Sequence, residues 1–252
     1  MGTRWSRSDT LGGDSGGVGA RRLTGPAGRQ RRTRPRLQHQ VTLPLGADRA
    51  HARPVPHVLL IADPATTATD LTAGAVRCPH PGCGGSLAPW GWARPRALRI
   101  DATTSSTHTP QRGRCRRCRR THVLLAAISY PRRPDSVETV GLALLAAASG
   151  LGHRLVAASV RLPATTVRGW LRRARLNAEH VRASATIAVH ALDPMAAPLA
   201  PTGSVLADMV DAVGRAVQAA VVRLGPLRPP WQWAVLLTAG GILAPPRPLQ
   251  PG

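Results

Sequence analysis

The stretch Cys78-Pro-His-Pro-Gly-Cys83-Gly84-Gly85, followed after a spacer by Cys115-Arg-Arg-Cys118, decides how this chain is read. It holds all four cysteines of the 252-residue sequence, and they fall as two close pairs. Paired thiols a few tens of residues apart are the ligand pattern of a structural zinc site, where each pair sits on a tight turn and aims two thiolates at one ion. Gly82, Gly84 and Gly85 supply backbone angles such turns need. In a secreted chain the same residues would make two disulfides. No apolar export segment opens the sequence, so Cys78, Cys83, Cys115 and Cys118 are expected to be ligands of a structural Zn2+. His80 or His122 is an alternative ligand, since imidazole also binds zinc. With four thiolates neither is needed, and His122 reads as a solvated strand residue.

Outward from the cysteines, the spacer reads as strands: Leu87–Trp92, Arg96–Ile100 and Gln111–Arg114, with a hairpin loop over Thr103–Pro110 and a fourth strand, His122–Leu125. Two knuckles held by a small antiparallel sheet make a zinc ribbon. Trp90 and Trp92 are two residues apart, which puts them on one sheet face. There they either give a small domain something to pack on or stack on nucleic-acid bases. Arg112, Arg114, Arg116, Arg117, Arg119 and Arg120 form a dense basic strip suited to phosphate contact. On the other side, Val58–Ala62 is a short apolar run ended by Asp63-Pro64, and a short helix is expected over Ala65–Ala73.

Helices follow the ribbon. Asp135-Ser-Val-Glu138 resembles a capping box, with a side-chain acceptor first and Glu three residues on. An apolar helix over Val137–Ala148, a short one over His153–Val160, a turn at Arg161-Leu-Pro163 and a third helix from Thr165 are predicted. In that third helix Val167, Trp170, Leu171 and Ala174 follow the helical repeat and face inward. Thr165, Thr166, Arg168, Arg172, Arg173 and Arg175 are left as candidate DNA contacts, with Arg116, Arg117, Arg119 and Arg120 on the ribbon. A short helix, a tight turn and a helix whose outer side is basic make a helix-turn-helix layout, whose second helix enters the major groove. There Arg pairs with guanine or meets phosphate.

From Leu171 to Leu192 the apolar residues step by three and four, a heptad-like seam, and a second seam runs from Leu206 to Leu224. These helices would pack as a hairpin within one chain or pair across a homodimer. Trp231–Leu237 reads as a last short helix or an apolar tail. The expected fold is mainly α with a small β zinc ribbon and a homeodomain-like three-helix unit. The expected organisation is a disordered Arg/Gly-rich tail (1–55), the ribbon with its lead-in (56–130), helix-turn-helix (131–176), a helical region (177–240) and a Pro-rich tail (241–252).

The net charge of +22 points to a polyanionic partner. Every one of the 34 basic residues is Arg, a sign of GC-rich coding, so placement is more informative than the total. Residues 72–193 carry 19 Arg against 5 acids. Double-stranded DNA is the expected partner. No stretch reaches membrane-span length, and a cytoplasmic, nucleoid-associated protein is expected.

From Cys78 to Arg175 the chain resembles a zinc-ribbon plus helix-turn-helix family common in high-GC bacteria, largely domains of unknown function. Members of that family resemble the DNA-binding front ends of insertion-sequence transposases. The residues that carry this are Cys78-Pro…Cys83-Gly-Gly, Trp90-Gly-Trp92, Arg114-Cys-Arg-Arg-Cys118, Thr121-His-Val-Leu-Leu125, Pro131-Arg-Arg133 and Thr165-Thr-Val-Arg-Gly-Trp-Leu-Arg-Arg173. Ser159-Val160 departs from the small residue and Leu-Gly usual there. A transposase also needs three carboxylates holding two metal ions. After residue 176 the only acids are Glu179, Asp193, Asp208 and Asp211. The resemblance therefore implies a DNA-binding protein without catalysis, a regulator or a transposase-like remnant. The competing expectation is a zinc-ribbon protein-interaction module without DNA specificity.

Overall fold

A computed structural model describes residues 58–245. The expected N-terminal tail (1–55) and most of the Pro-rich tail (246–252) lie outside the described residues. Six strands and six α-helices are present among those described. The fold is mixed α and β, with a larger strand component than the ribbon expected from the sequence.

Strand β1 (Val58–Ile61) leads into helix α1 (Pro64–Thr72), which starts where Asp63 accepts a hydrogen bond from the Ala65 amide. Strands β2 (Leu87–Trp92), β5 (Gln111–Cys115) and β6 (Thr121–Ala126) join β1 in one sheet of order β1-β6-β5-β2. The β1–β6 pair is parallel and the others antiparallel. The lead-in run is thus an integral edge strand of the sheet. Strands β3 (Arg96–Arg99) and β4 (Ser105–His108) form a separate hairpin. The loop expected over Thr103–Pro110 is therefore half strand. Its turn is closed by Asp101, whose carboxylate accepts from the Thr103 and Thr104 amides.

Register explains the inner face of the main sheet. Leu87 lies opposite Cys115 and Gly113 opposite His122, so all four side-chain positions share one side. A Cβ at Gly113 would stand 3.1 Å from both Leu71 of α1 and Leu87, which is how closely that helix covers the sheet. Ile61, Leu71, Val76, Leu87 and Leu124 complete a small core beside the cysteines.

The larger core is helical. Helix α2 (Val137–Ala148) begins at Ser136, whose hydroxyl accepts from the Thr139 amide. The cap is therefore one residue later than the capping box expected at Asp135. Asp135 is instead buried and paired with Arg99, whose Nε donates to it at 2.8 Å. The Thr139 hydroxyl donates to the Ile100 carbonyl beside this pair. Together they fasten the β3–β4 hairpin to the start of α2.

Helices α3 (His153–Ser159) and α4 (Ala164–Leu192) follow, and α4 is one continuous helix of 29 residues. A domain boundary at 176/177 would fall inside it. Helix α5 (Val205–Leu224) packs along α4, burying Ala178, Val181, Ala185 and Ala188 with Met209, Ala212, Val213 and Ala216. The two seams pack against each other as a hairpin within one chain. Helix α6 (Pro230–Leu237) packs on α2 and α5. The 3-10 turn Gly241–Leu243, expected to belong to the tail, is core: Ile242 and Leu243 are buried against α4, and Asn177 donates to the Ile242 and Ala244 carbonyls.

One contact in this core depends on a missing side chain. A Cβ on Gly141 of α2 would lie 2.1 Å from the Trp231 indole of α6. Gly141→Ala is expected to cost about 1–3 kcal/mol through overpacking, read by chemical denaturation. Adding Trp231→Ala should relieve part of that cost, a coupling of about 1 kcal/mol or more. Additive losses would show that the two residues are not in contact.

Candidate metal centre

The first knuckle runs from Cys78 to Gly85, closed by the Cys78 amide donating to the Gly85 carbonyl at 2.8 Å. The second runs from Cys115 to Arg120, closed by the Cys115 amide donating to the Arg120 carbonyl at 2.8 Å. In both, the residue after the second cysteine is left-handed: Gly84 at φ 62° and Arg119 at φ 63°. The two turns are thus built alike, the second bearing the strain of a side chain where glycine is favoured.

The turns bring all four sulfurs within 4.8 Å of one another. Cys78 and Cys118 Sγ are 3.7 Å apart, Cys83 and Cys115 Sγ 3.5 Å. Four thiolates about 2.3 Å from a tetrahedral ion are about 3.8 Å from each other, so the set fits such an ion. The cysteines are free of disulfides. Cys78, Cys83 and Cys115 are buried and Cys118 is half-buried. The residues meet the needs of a metal held by four thiolates, and a metal there would cross-link the two knuckles. Among the described residues no other group of three or more Cys, His, Asp or Glu forms such a cluster.

The surroundings favour anionic sulfur unequally. The Cys118 amide points at Cys115 Sγ at 3.4 Å. Burial acts to raise the Cys115 pKa, but backbone N–H groups of Cys118 and Arg117 and the Cys83 thiol outweigh it and bring it down to about 6. Burial and the neighbouring thiols push Cys78 up to about 12, against the opposing pull of the His80 amide. Arg117 donates to the Cys83 carbonyl at 2.6 Å, holding a guanidinium beside the first knuckle.

His122 is not a solvated strand residue. Its cross-strand position opposite Gly113 turns it to the inner face, where it is fully buried with Nε2 3.8 Å from Cys78 Sγ. The ring stands next to the sulfurs as a hydrogen-bond partner, the arrangement by which neighbours orient metal ligands. His80, the other alternative ligand, turns its Nδ1 to the Pro81 carbonyl at 3.0 Å. Period-two reading of Thr121-His-Val-Leu-Leu125 leaves the facing of His122 open, because both alternating sets contain leucine. Only the pairing with β5 decides it.

The candidate DNA contacts fall in two places. Arg116, Arg117, Arg119 and Arg120 are exposed around the second knuckle. On α4, Thr165, Arg168, Arg172 and Arg175 are exposed, while Thr166 and Arg173 are half-buried. Val167, Trp170, Leu171 and Ala174 are buried beneath them, as the repeat predicted. Arg133, before α2, is depressed in pKa by burial and then by repulsion from the charge of Arg173, against the opposing pull of Asp135, so a further cation stands near that side of α4. Arg133 was not singled out among the candidate contacts. Of the four late acids, Glu179 pairs with Arg182, Asp211 with Arg215 and Asp208 with the Thr202 hydroxyl, while Asp193 accepts from the Met195 amide. No described helix is long and apolar enough to cross a membrane.

The chain matches no protein-family model, no curated protein and no solved structure.

Removing two of the four thiols tests the centre. Cys115→Ser with Cys118→Ser is expected to abolish stoichiometric metal by elemental analysis and to unfold the sheet around the knuckles, because metal binding is folding energy in such sites. Stoichiometric metal retained by that variant would show the assignment to be wrong. Gly85 offers a milder probe, since its Cβ would stand 2.9 Å from Cys115 Sγ and 2.8 Å from Arg117 Cβ. Gly85→Ala should lower metal affinity by about 10- to 100-fold in chelator competition, the equivalent of about 1–3 kcal/mol of overpacking.

Proposed function

We propose that the chain is a DNA-binding protein, with a structural zinc ion in the four-thiolate centre and α3, its turn and α4 acting as a helix-turn-helix. The observation that carries this is the two-sided character of α4. Val167, Trp170, Leu171 and Ala174 fill the core while Thr165, Arg168, Arg172 and Arg175 stand in solvent. Three features support it. The turn into α4 is tight, with Arg161 left-handed at φ 53° and the Leu162 amide donating to the Ala157 carbonyl at 3.0 Å. The start of α4 has no side-chain cap, so its first amides are open donors suited to a phosphate. Finally, 12 Arg and one acid, Asp101, lie between Leu71 and Pro134, so the ribbon adds a second basic surface.

In this reading zinc is redox-inert and holds the knuckles closed. Arg116, Arg117, Arg119 and Arg120 meet phosphates, and Arg168 and Arg172 reach base edges or phosphates in the major groove. The role that fits is a transcriptional regulator or a transposase-like protein that binds without cutting. One observation favours the second reading, a protein-interaction module: Leu142, Leu145 and Leu155 on α2 and α3 are exposed. Salt separates the two, since phosphate contacts weaken steeply with ionic strength and apolar docking does not.

The test is selection from a random duplex library with the full, zinc-loaded chain at physiological salt, followed by affinities for the enriched site. Enrichment of a motif supports the reading, and failure to retain duplex DNA overturns it. Arg172→Ala is then expected to weaken the enriched site by about 1–3 kcal/mol more than random duplex if Arg172 reads a base. An equal loss on both would make it a phosphate contact.

A further inference from the structure

Trp90 and Trp92 are absorbed neither by the core nor by the duplex-binding face. The sequence places them on one face of a regular strand, but β2 is not regular there. Pro89 pairs with Gly113 and Trp92 with Gln111, so three steps on β2 oppose two on β5. One extra residue makes a β-bulge, and Gly91 takes it up at φ 78°. The result is that neither indole packs beneath the sheet: Trp90 is 49% and Trp92 62% exposed. The expectation that they serve as a core for the ribbon is therefore not met. That role belongs to Leu71, Leu87 and the cysteines.

One face of Trp90 is already engaged. The Arg114 guanidinium lies 4.4 Å from its ring centroid. A guanidinium on one side of an indole fixes the ring without help from a core and leaves the opposite face for another planar group. A Cβ at Gly91 would meet nothing within 4 Å, so the backbone between the indoles is open to close approach. Arg94 and Arg96, just beyond, are exposed. Aromatic rings interleaved with Arg, in a segment with 12 Arg and one acid, combine the two components by which unpaired nucleic-acid strands are held: stacking surfaces for bases and cations along the backbone.

We infer that Trp90, Trp92 and Arg114 form a base-stacking platform for an unpaired nucleic-acid strand, separate from the duplex-binding face of α4. This rests on the nucleic-acid reading above but uses different residues, so each can fail alone. Bases in a duplex are stacked on one another and present no free face, so the platform takes strand ends, bulges or single strands. A protein partner would find the same indoles, but the surrounding charge would restrict it to an acidic one.

The experiment measures anisotropy of labelled oligonucleotides with the full, zinc-loaded chain at physiological salt. The probes are a mixed-sequence single strand, the same strand with abasic sites throughout, and the matching duplex. The single strand is expected to bind better than the abasic one. Trp90→Ala with Trp92→Ala should weaken the single strand by about 10- to 100-fold and the duplex by less than about threefold. Trp90→Phe with Trp92→Phe, which keeps stacking faces, should retain most of the affinity. Zinc content and far-ultraviolet circular dichroism unchanged in the alanine variant would show that the ribbon is intact. Arg172→Ala should do the reverse, sparing the single strand. Equal binding of the abasic strand, no loss in the alanine variant, or no single-strand binding by wild type would each overturn the platform. Single-strand binding without duplex binding would instead overturn the reading of α4 and leave the platform standing.

Discussion

Four sulfurs must share a space under 4.8 Å across, and the strand half of the protein is arranged around that demand. Its apolar core is small, with Ile61, Leu71, Val76, Leu87 and Leu124 as the chief members. A core of that size contributes little against the entropy of ordering several strands. A metal held by the four thiolates would offset the deficit by cross-linking the knuckles, because the binding energy of such an ion is folding energy. The demand also accounts for local oddities. Gly85 has no side chain because Cys115 Sγ stands where one would begin. Arg119 accepts a left-handed backbone because the second knuckle must turn as the first does at Gly84.

The strand and helical halves are joined by a pair that looks unfavourable in isolation. Asp135 is buried, and a lone carboxylate there would be costly. Arg99 from the β3–β4 hairpin meets it, and Thr139 reaches the neighbouring Ile100 carbonyl. Polar partners with fixed geometry specify one arrangement of hairpin and helix where apolar contact would allow several. A second seam lies at β1, where Leu60 packs on the helical core and Gly240 lies close to both Leu60 and Pro131.

Legibility in the sequence followed the physical origin of each feature. The thiol cluster was readable because cysteine is scarce and its spacing is local. Helix α2 was readable as an apolar run behind a capping signal, and α4 and α5 because one face of each repeats at the helical period, down to Val167, Trp170, Leu171 and Ala174. What escaped depends on partners distant in sequence. The edge strand β1 pairs with β6 across more than fifty residues, and nothing in Val58–Ile61 names that partner. Strand β4, Ser105-Ser-Thr-His108, has no apolar pattern and is held only by its hairpin to β3. His122, Asp135 and the bulge at Gly91 were misread for the same reason. Each takes its environment from register or from a side chain on another element, and a local window contains neither.

The same logic bears on the face of α4 proposed to meet DNA. Arg168, Arg172 and Arg175 lie in its N-terminal half, yet the helix continues without a break to Leu192. Those later turns are clamped by α5 through Val181, Ala185 and Ala188 and capped by Ile242. Small side chains let the two helices approach closely, and close approach resists rotation about the helix axis. Rotating α4 by one residue, about 100°, would bury an arginine and expose a core side chain along its whole length. The direction in which Arg168, Arg172 and Arg175 point is therefore set both by Val167, Trp170, Leu171 and Ala174 beneath them and by an alanine-rich seam farther along the helix. That gives the C-terminal helices a role even where they touch no nucleic acid. They turn a short basic segment, which alone would be a marginal helix, into a rigid surface with one orientation.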